Sequence, residues 1–112
     1  MSTDCIFCKI VTNDIPSNKF YEDDEVIVFH DIRPIAPVHF LIVPKLHVES
    51  LADCDETHQN LLGKMLLLAP KLATQLGLKG FRTMINTGRE GGQEVFHIHI
   101  HVFGGGETLP KT

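Results

Sequence analysis

Three histidines alternate with apolar residues near the end of the chain, in segment 96–103 with the sequence FHIHIHVF. Because successive side chains of an extended strand point to opposite faces, His97, His99 and His101 share one face. The apolar residues between them share the other face, which we expect to join a hydrophobic core. Such a file of imidazoles is typical of catalysis or metal binding, and less so of a strand that merely tolerates histidine.

The spacing of the three histidines indicates that they do not all have the same role. Neighbouring imidazoles on one strand face lie about 6.7 Å apart, and the outer pair about 13 Å apart. Zinc ligands lie only about 2 Å from the metal, so the three side chains cannot easily converge on one ion. We therefore expect the middle histidine and the outer two to have different functions.

A glycine-rich segment, residues 87–93, comes directly before the histidines. Gly88, Gly91 and Gly92 would let backbone N–H groups approach an anion closely, and a phosphate bound there would sit over His99. The alternative is an ordinary turn. Asn86 ends the preceding predicted strand, and its amide can donate to a phosphoryl oxygen.

Two of the three cysteines, Cys5 and Cys8, form a CxxC motif, which is half of a tetrahedral zinc site. An odd number of cysteines without a secretory signal favours reduced thiols or a metal site over disulfides. His39 alternates with Leu41 and Val43, so it is either a core histidine or part of a polar network behind the site.

The chain has 112 residues, of which 43% are hydrophobic and 21% charged, and its net charge is −4. This size predicts a single domain over residues 1–112. The negative charge argues against a nucleic-acid partner. Residues 1–4 lack the features of a leader sequence, and the longest apolar run, residues 65–70, is too short for a bilayer. These patterns predict a cytoplasmic protein that does not engage a membrane.

Hydrophobic periodicity predicts an α+β fold, an antiparallel five-stranded sheet with one long and one short helix on one face. The short helix is expected at residues 5–11 and the long helix at 56–75, capped by Asp53 and Glu56. The strands are predicted at 19–22, 26–29, 38–43, 82–86 and 94–103, with a flexible tail from Gly104. The stripe of the long helix that faces the sheet is predicted to be Leu62, Leu66, Ala69, Ala73 and Leu76.

Taken together, these motifs resemble the histidine-triad (HIT) superfamily, and in particular its HINT branch. The resemblance also covers segments 5–10, 29–32, 36–40, 43–45, 86–88 and 91–93. It implies a HIT-like fold and a hydrolase that cleaves the P–N bond of purine nucleoside 5′-phosphoramidates through a nucleotidyl-histidine. The expected substrates are AMP or GMP phosphoramidates, or aminoacyl adenylates, and the expected assembly is a homodimer formed through the long helix and the following strand.

The resemblance also implies site roles. His99 matches the nucleophile and His101 the residue at the phosphate and leaving group, with His39 in the hydrogen-bonded relay and His97 as the first member of the triad. The implied nucleotide-binding residues are Ile6, Phe7, Phe29, Asp31, Ile32, Asn86, Gly92, Gln93, Glu94, His99 and His101. Glu94 replaces a serine of better-known HINT members, and an ionised carboxylate beside a phosphate would repel it.

Members with the CxxC motif can bind one structural zinc, here through Cys5, Cys8, His47 and His97, whereas many relatives have no metal. No cofactor is expected to be required for catalysis. Three alternatives stay open: a dinucleoside polyphosphate hydrolase, a noncatalytic nucleotide-binding or partner-binding module, and a structural zinc module with histidine ligands. The sequence Phe103-Gly104-Gly105, which follows the triad, resembles the HINT branch more than the polyphosphate hydrolases.

Overall fold

The structure, a computed structural model, describes residues 5–112. The prediction that residues 1–4 form no leader lies outside this range. The helices are α1 (Ile6–Val11) and α2 (Gln59–Gln75), with 3-10 turns at Leu51–Asp53 and Glu56–His58. The strands are β1 (Lys19–Glu22), β2 (Val26–His30), β3 (Val38–Pro44), β4 (Phe81–Met84) and β5 (Ile100–Gly104).

The five strands form one antiparallel sheet in the order β1-β2-β3-β5-β4. This confirms the predicted five-stranded sheet with one long and one short helix. The last strand, β5, lies between β3 and β4, where His101 is paired with Leu41 on one side and Met84 on the other. The site-bearing strand is therefore held by hydrogen bonds along both of its edges.

The two helices cover opposite faces of the sheet, so the prediction of both helices on one face is wrong. On one face α2 packs on alternate strand residues such as Val28, Phe40 and Ile100. On the other face α1 packs on the intervening residues, such as Ile27 and Leu41. Because β2 and β3 are apolar at consecutive positions, both of their faces must be covered to remove these side chains from water.

The histidine segment is less regular than predicted, because β5 begins at Ile100 instead of residue 94. The ladder to β3 stops at the Ile42–Ile100 pair, and a single bond from the Ile98 N–H to the Val48 carbonyl (2.7 Å) holds the chain before it. The alternation is nevertheless kept, since Ile98, Ile100 and Val102 are all buried in the core. Gly104, predicted to open a flexible tail, is the buried last residue of β5.

Helix α2 begins later than predicted, and its predicted stripe is wrong only at Leu66: Ala69 and Ala73 are buried, and the half-buried Leu62 and Leu76 pack against the core. Asp55, not Asp53, accepts a capping bond from the Thr57 N–H, and it caps the 3-10 turn Glu56–His58 that precedes α2. The helix itself runs continuously through Pro70. Leu66 was expected in the core but is 47% exposed, and Leu67 is 74% exposed. The buried stripe consists of Met65, Leu68, Ala69, Leu72 and Ala73.

Strand β4 also ends early, at Met84, so that Asn86 lies in the loop beyond it. Across residues 5–112, no helix has both the length and the apolar character required to cross a membrane.

Candidate active site and metal-ligand cluster

A cleft of about 380 Å³ opens on the α1 face of the sheet. Most of the nucleotide-site residues predicted from the sequence line it: Ile6, Phe7, Phe29, Asp31, Ile32, Asn86, Gly92, Glu94, His99 and His101. The apolar members from α1 and β2 line one part, and the histidines with the glycine loop line another. The cleft thus combines an apolar slot with a polar, nitrogen-rich end, as small-molecule sites commonly do.

His99 is buried, and its hydrogen bonding defines which ring nitrogen can react. Its Nδ1 lies 2.8 Å from the backbone carbonyl of His97. Because a carbonyl only accepts, Nδ1 carries the proton and Nε2 keeps its lone pair. Burial lowers the pKa of His99, which keeps the ring neutral near pH 7. A neutral imidazole with one anchored N–H is a competent nucleophile.

A second hydrogen-bonded chain fixes the tautomer of His101. The Ile35 N–H donates to Nδ1 of His39 (3.2 Å), so neutral His39 carries its proton on Nε2. That nitrogen lies 3.0 Å from Nδ1 of His101 and 3.4 Å from Oδ2 of Asp31. When His39 donates to His101, the proton of His101 stands on Nε2.

The surroundings of His39 and His101 favour the neutral form of both rings. Burial, together with the neighbouring His99 and His39, lowers the pKa of His101 to about 4. Burial also lowers the pKa of His39, and the Asp31 carboxylate only partly offsets it. His101 therefore presents a hydrogen-bond donor beside His99. His39 is both buried and hydrogen-bonded to His101.

Asp31 has two contacts that use different oxygens. Oδ1 accepts from the Arg33 N–H (2.8 Å), the local turn bond expected of an Asp ahead of a proline-rich loop. Oδ2 faces His39, and the residue lines the cleft. A carboxylate oxygen at this place can also accept from a ligand hydroxyl.

The glycine loop is held from beneath by Gln93. The buried Gln93 side chain accepts from the Gly88 N–H (2.9 Å) and donates to the carbonyls of Glu49 (2.6 Å) and Val95 (3.0 Å). Gly88 and Gly92 have φ angles of +75° and +88°, which glycine adopts without strain. Gln93, predicted as a ligand contact, is therefore placed as a support of the loop, while Gly92 and Asn86 line the cleft.

Glu94 lies where the cleft meets a neighbouring recess of about 350 Å³. The recess is lined by Cys5, Ile6, His47, Glu49, Glu94, Val95 and Phe96. Glu94 is exposed, so its carboxylate stays hydrated at the junction of the two cavities. A negative charge at this point acts on any anion bound in the cleft.

Four potential metal ligands converge on the far side of the triad: Cys5, Cys8, His47 and His97, whose ligand atoms all lie within 4.8 Å of one another. Nδ1 of His97 lies 3.3 Å from Sγ of Cys5, 3.5 Å from Sγ of Cys8 and 3.1 Å from Nδ1 of His47. Ligand atoms about 2.0–2.3 Å from a tetrahedral zinc stand about 3.3–3.8 Å from one another, so the set fits such an ion.

The protonation of His97 suits this role. Its Nε2 lies 2.7 Å from the carbonyl of Pro44, so Nε2 carries the proton and Nδ1 presents a lone pair to the cluster. The four residues that the family resemblance implied as zinc ligands are thus brought together. They leave no vacant ligand position in a tetrahedron, which is typical of a structural site and not a catalytic one.

Several cleft residues were not predicted from the sequence: Ile10, Ile15, Pro16, Ser17, Asn18, His30, Arg33, Leu41 and Val95. The ring of His30 stacks on Phe20 with centroids 4.5 Å apart. The one available signal was position, because segment 15–18 follows α1 and must turn back toward the sheet. Nothing in residue type alone distinguishes these side chains from ordinary core and turn residues.

Comparison with known proteins agrees with this geometry. The HIT domain family matches residues 12–108. Protein HitA of Neisseria gonorrhoeae is 55% identical over 101 residues, covering 89% of this chain and 94% of that protein. The purine nucleoside phosphoramidase of Escherichia coli strain K12 is 45% identical over 107 residues, covering 94% of this chain and 90% of the enzyme.

Solved structures show the same fold. A HIT family hydrolase from Clostridium thermocellum superposes with a TM-score of 0.94 at 42% identity, covering 99% of this chain and 98% of that one. A Zn-bound histidine triad family protein from Mycobacterium smegmatis gives a TM-score of 0.80 at 34% identity, with coverages of 92% and 76%. The chain belongs to the HIT domain family, which confirms the assignment made from its motifs.

Proposed function

We propose that this protein is a nucleotide hydrolase that cleaves the P–N bond of purine nucleoside 5′-phosphoramidates and releases the nucleoside monophosphate. The observation that carries the proposal is the pairing of a free imidazole nitrogen, Nε2 of His99, with a fixed N–H donor on His101 in one cleft. The E. coli relative, a purine nucleoside phosphoramidase, supports the choice of substrate.

The reaction has two steps. Nε2 of His99 attacks phosphorus and the P–N bond breaks, which gives a nucleotidyl-histidine and an amine. Nε2–H of His101 donates a hydrogen bond to the leaving nitrogen, and the His97 carbonyl holds the proton on Nδ1 of His99 throughout. Water then opens the intermediate. The leaving nitrogen takes up a proton from solvent as the P–N bond breaks in the first step. In the second step the bond between phosphorus and Nε2 breaks, the hydroxyl group of the water ends on phosphorus, and its other proton returns to solvent, so that one water is consumed overall.

The apolar part of the cleft suits a purine and its ribose. Ile6 and Ile32 are 46% and 91% exposed at the mouth, where a flat base would remove them from water. Phe7 and Phe29 form the interior, with their rings edge to face at 5.6 Å. Asp31 is placed to accept from a ribose hydroxyl, while Asn86 and the loop at Gly92 can donate to the phosphate.

The test is turnover of adenosine 5′-phosphoramidate by purified protein, with release of AMP and amine followed by chromatography. We expect steady turnover and a trapped nucleotidyl adduct on a histidine. Binding of AMP without turnover would instead indicate a noncatalytic module. Preferential cleavage of diadenosine tetraphosphate would indicate the polyphosphate hydrolase.

We also propose that Cys5, Cys8, His47 and His97 hold one structural zinc. Two thiolates and two imidazoles are the ligand set that zinc prefers, and the ion would tie α1 to the chain before β5. The Zn-bound relative from M. smegmatis supports this proposal. Elemental analysis of protein purified without chelator should find about one zinc per chain, with none in Cys8→Ser. Zinc-free protein of normal stability would refute the assignment.

A further inference from the structure

His97 connects the metal-ligand cluster with the predicted nucleophile, His99. The side chain of His97 points Nδ1 at the two cysteine sulfurs and His47, while its backbone carbonyl accepts the proton-bearing nitrogen of His99 at 2.8 Å. His97 is fully buried, so its ring and its carbonyl cannot move independently by much. A change in how the ring is held therefore reaches the bond that orients His99.

A second connection runs through α1. Cys5 and Cys8 enclose Ile6 and Phe7 in sequence, and the Cys8 N–H donates to Sγ of Cys5 (3.2 Å) at the start of the helix. The ring of Phe7 lies edge-on to His99 at 5.0 Å and to His97 at 6.0 Å. The two cysteines thus hold the helix turn that carries the apolar slot.

We propose that Cys5, Cys8 and His47 are positioning residues for the nucleotide site, so that metal binding and nucleotide binding favour each other. This inference rests on the proposed function, because it requires a nucleotide in the cleft. With a cation on the four ligand atoms, α1 and His97 are ordered before the nucleotide arrives. The coupling must be reciprocal, since each ligand changes the affinity of the other by the same factor.

Zinc affinity with and without AMP gives the direct test. The zinc dissociation constant is measured by competition with a chromophoric chelator, first in buffer and then with saturating AMP. We expect AMP to tighten zinc binding about fivefold or more, and removal of zinc to weaken AMP binding by the same factor. Cobalt(II) in place of zinc gives a spectroscopic readout, because AMP should then change the visible absorption of the cobalt-loaded protein.

Variants separate positioning from general stability. Cys8→Ser should weaken zinc binding and abolish the effect of AMP on it, while the matched control Cys54→Ser, at a cysteine outside the cluster, should retain both. Should Cys8→Ser fail to fold, His47→Gln serves instead, because His47 is only half-buried. For His47→Gln we expect that AMP no longer changes the zinc affinity, while the circular dichroism spectrum stays normal.

Three results would overturn the inference. If AMP binds normally but leaves the zinc affinity and the cobalt spectrum unchanged, the inference is wrong and the proposed function stands. If AMP does not bind, both the inference and the proposed function are wrong. If the protein binds zinc no more tightly than Cys8→Ser does, the cluster is not a metal site and the inference fails with it.

Discussion

At the scale of single residues, backbone groups decide the chemistry of the histidines. The His97 carbonyl leaves the lone pair of His99 on Nε2, and the Ile35 N–H, acting through His39, leaves the proton of His101 on Nε2. The sequence pattern predicted which histidines share a face. It did not predict their tautomers, because these depend on main-chain groups that only the folded chain brings into contact.

The first prediction concerns His99. Replacing His99 by Asn should lower turnover of adenosine 5′-phosphoramidate by several orders of magnitude, because covalent catalysis is lost. AMP affinity should change by less than about tenfold, which corresponds to about 1.4 kcal/mol. Steady-state kinetics and calorimetric titration measure the two effects. His58→Asn, at a capping histidine outside the cleft, is the matched control, and near-normal turnover by His99→Asn would refute the assignment.

A second prediction concerns the carboxylate of Glu94. Glu94→Gln should bind AMP about threefold more tightly at low salt, because it removes like-charge repulsion, and the gain should shrink as salt screens the interaction. Glu90→Gln changes the same charge on the same loop outside the cleft and should have less effect. Equal effects of the two substitutions would show that only net charge matters.

The third prediction follows from the lowered pKa of His101. Because the folded chain holds this pKa at about 4, below the ordinary value of 6.5, the unfolded chain binds more protons between these values. Stability contributed by the neutral ring should therefore be complete above pH 6.5 and fall as the pH decreases toward 4. Thermal unfolding across this range measures it. His101→Gln should show a shallower decline, and an identical decline would contradict the prediction.

At the scale of elements, the sequence predicted the existence and type of each helix and strand better than their ends or faces. Residues 65–69 are all apolar, so several helix faces fit the pattern, and contact with the sheet buries Met65 and Leu68 while Leu66 stays outside. The start of β5 at Ile100 was equally unpredictable, because the ladder to β3 stops at the Ile42–Ile100 pair although β3 itself continues to Pro44. Ends and faces are set by partners, and periodicity does not specify partners.

An element-scale prediction tests the support beneath the glycine loop. Gln93→Leu keeps the side-chain volume but leaves the Gly88 N–H and the Glu49 carbonyl without their bonds. Unfolding free energy should fall by about 2 kcal/mol, measured by urea denaturation, because unpaired buried groups are costly. AMP affinity should fall as the loop loosens. Gln75→Leu, on the exposed end of α2, should cost less than about 0.5 kcal/mol; comparable losses in both variants would count against a supporting role.

At the scale of the whole molecule, the notable surface is the outer side of α2. Leu66 and Leu67 are exposed in the isolated chain, as expected for a helix that packs against a second copy. The prediction placed both helices on one face of the sheet. The consecutive apolar residues of β2 and β3 require cover on both faces, and α2 and α1 each cover one of them.

The final prediction is that the protein is a homodimer through α2 and β4. Light scattering at micromolar concentration should give twice the chain mass. Leu67→Glu should give the monomer, because it would bury a charge at the interface. Leu46→Glu, at a leucine of similar exposure on a loop, should remain dimeric. A monomeric parent protein, or a dimer unaffected by Leu67→Glu, would rule out this interface.

The strand order also dictates when the sheet can be completed during synthesis. The hairpins β1-β2 and β2-β3 need only the first 44 residues, whereas β4 pairs with β5 alone, and β5 ends at Gly104. The nascent chain must therefore hold α2 and β4 without a complete sheet until β5 has left the ribosome. Premature termination before residue 100 would remove both the last triad histidine and β5, the strand that joins β4 to the rest of the sheet, so shortened chains would be targets for proteolysis and not partly active enzymes.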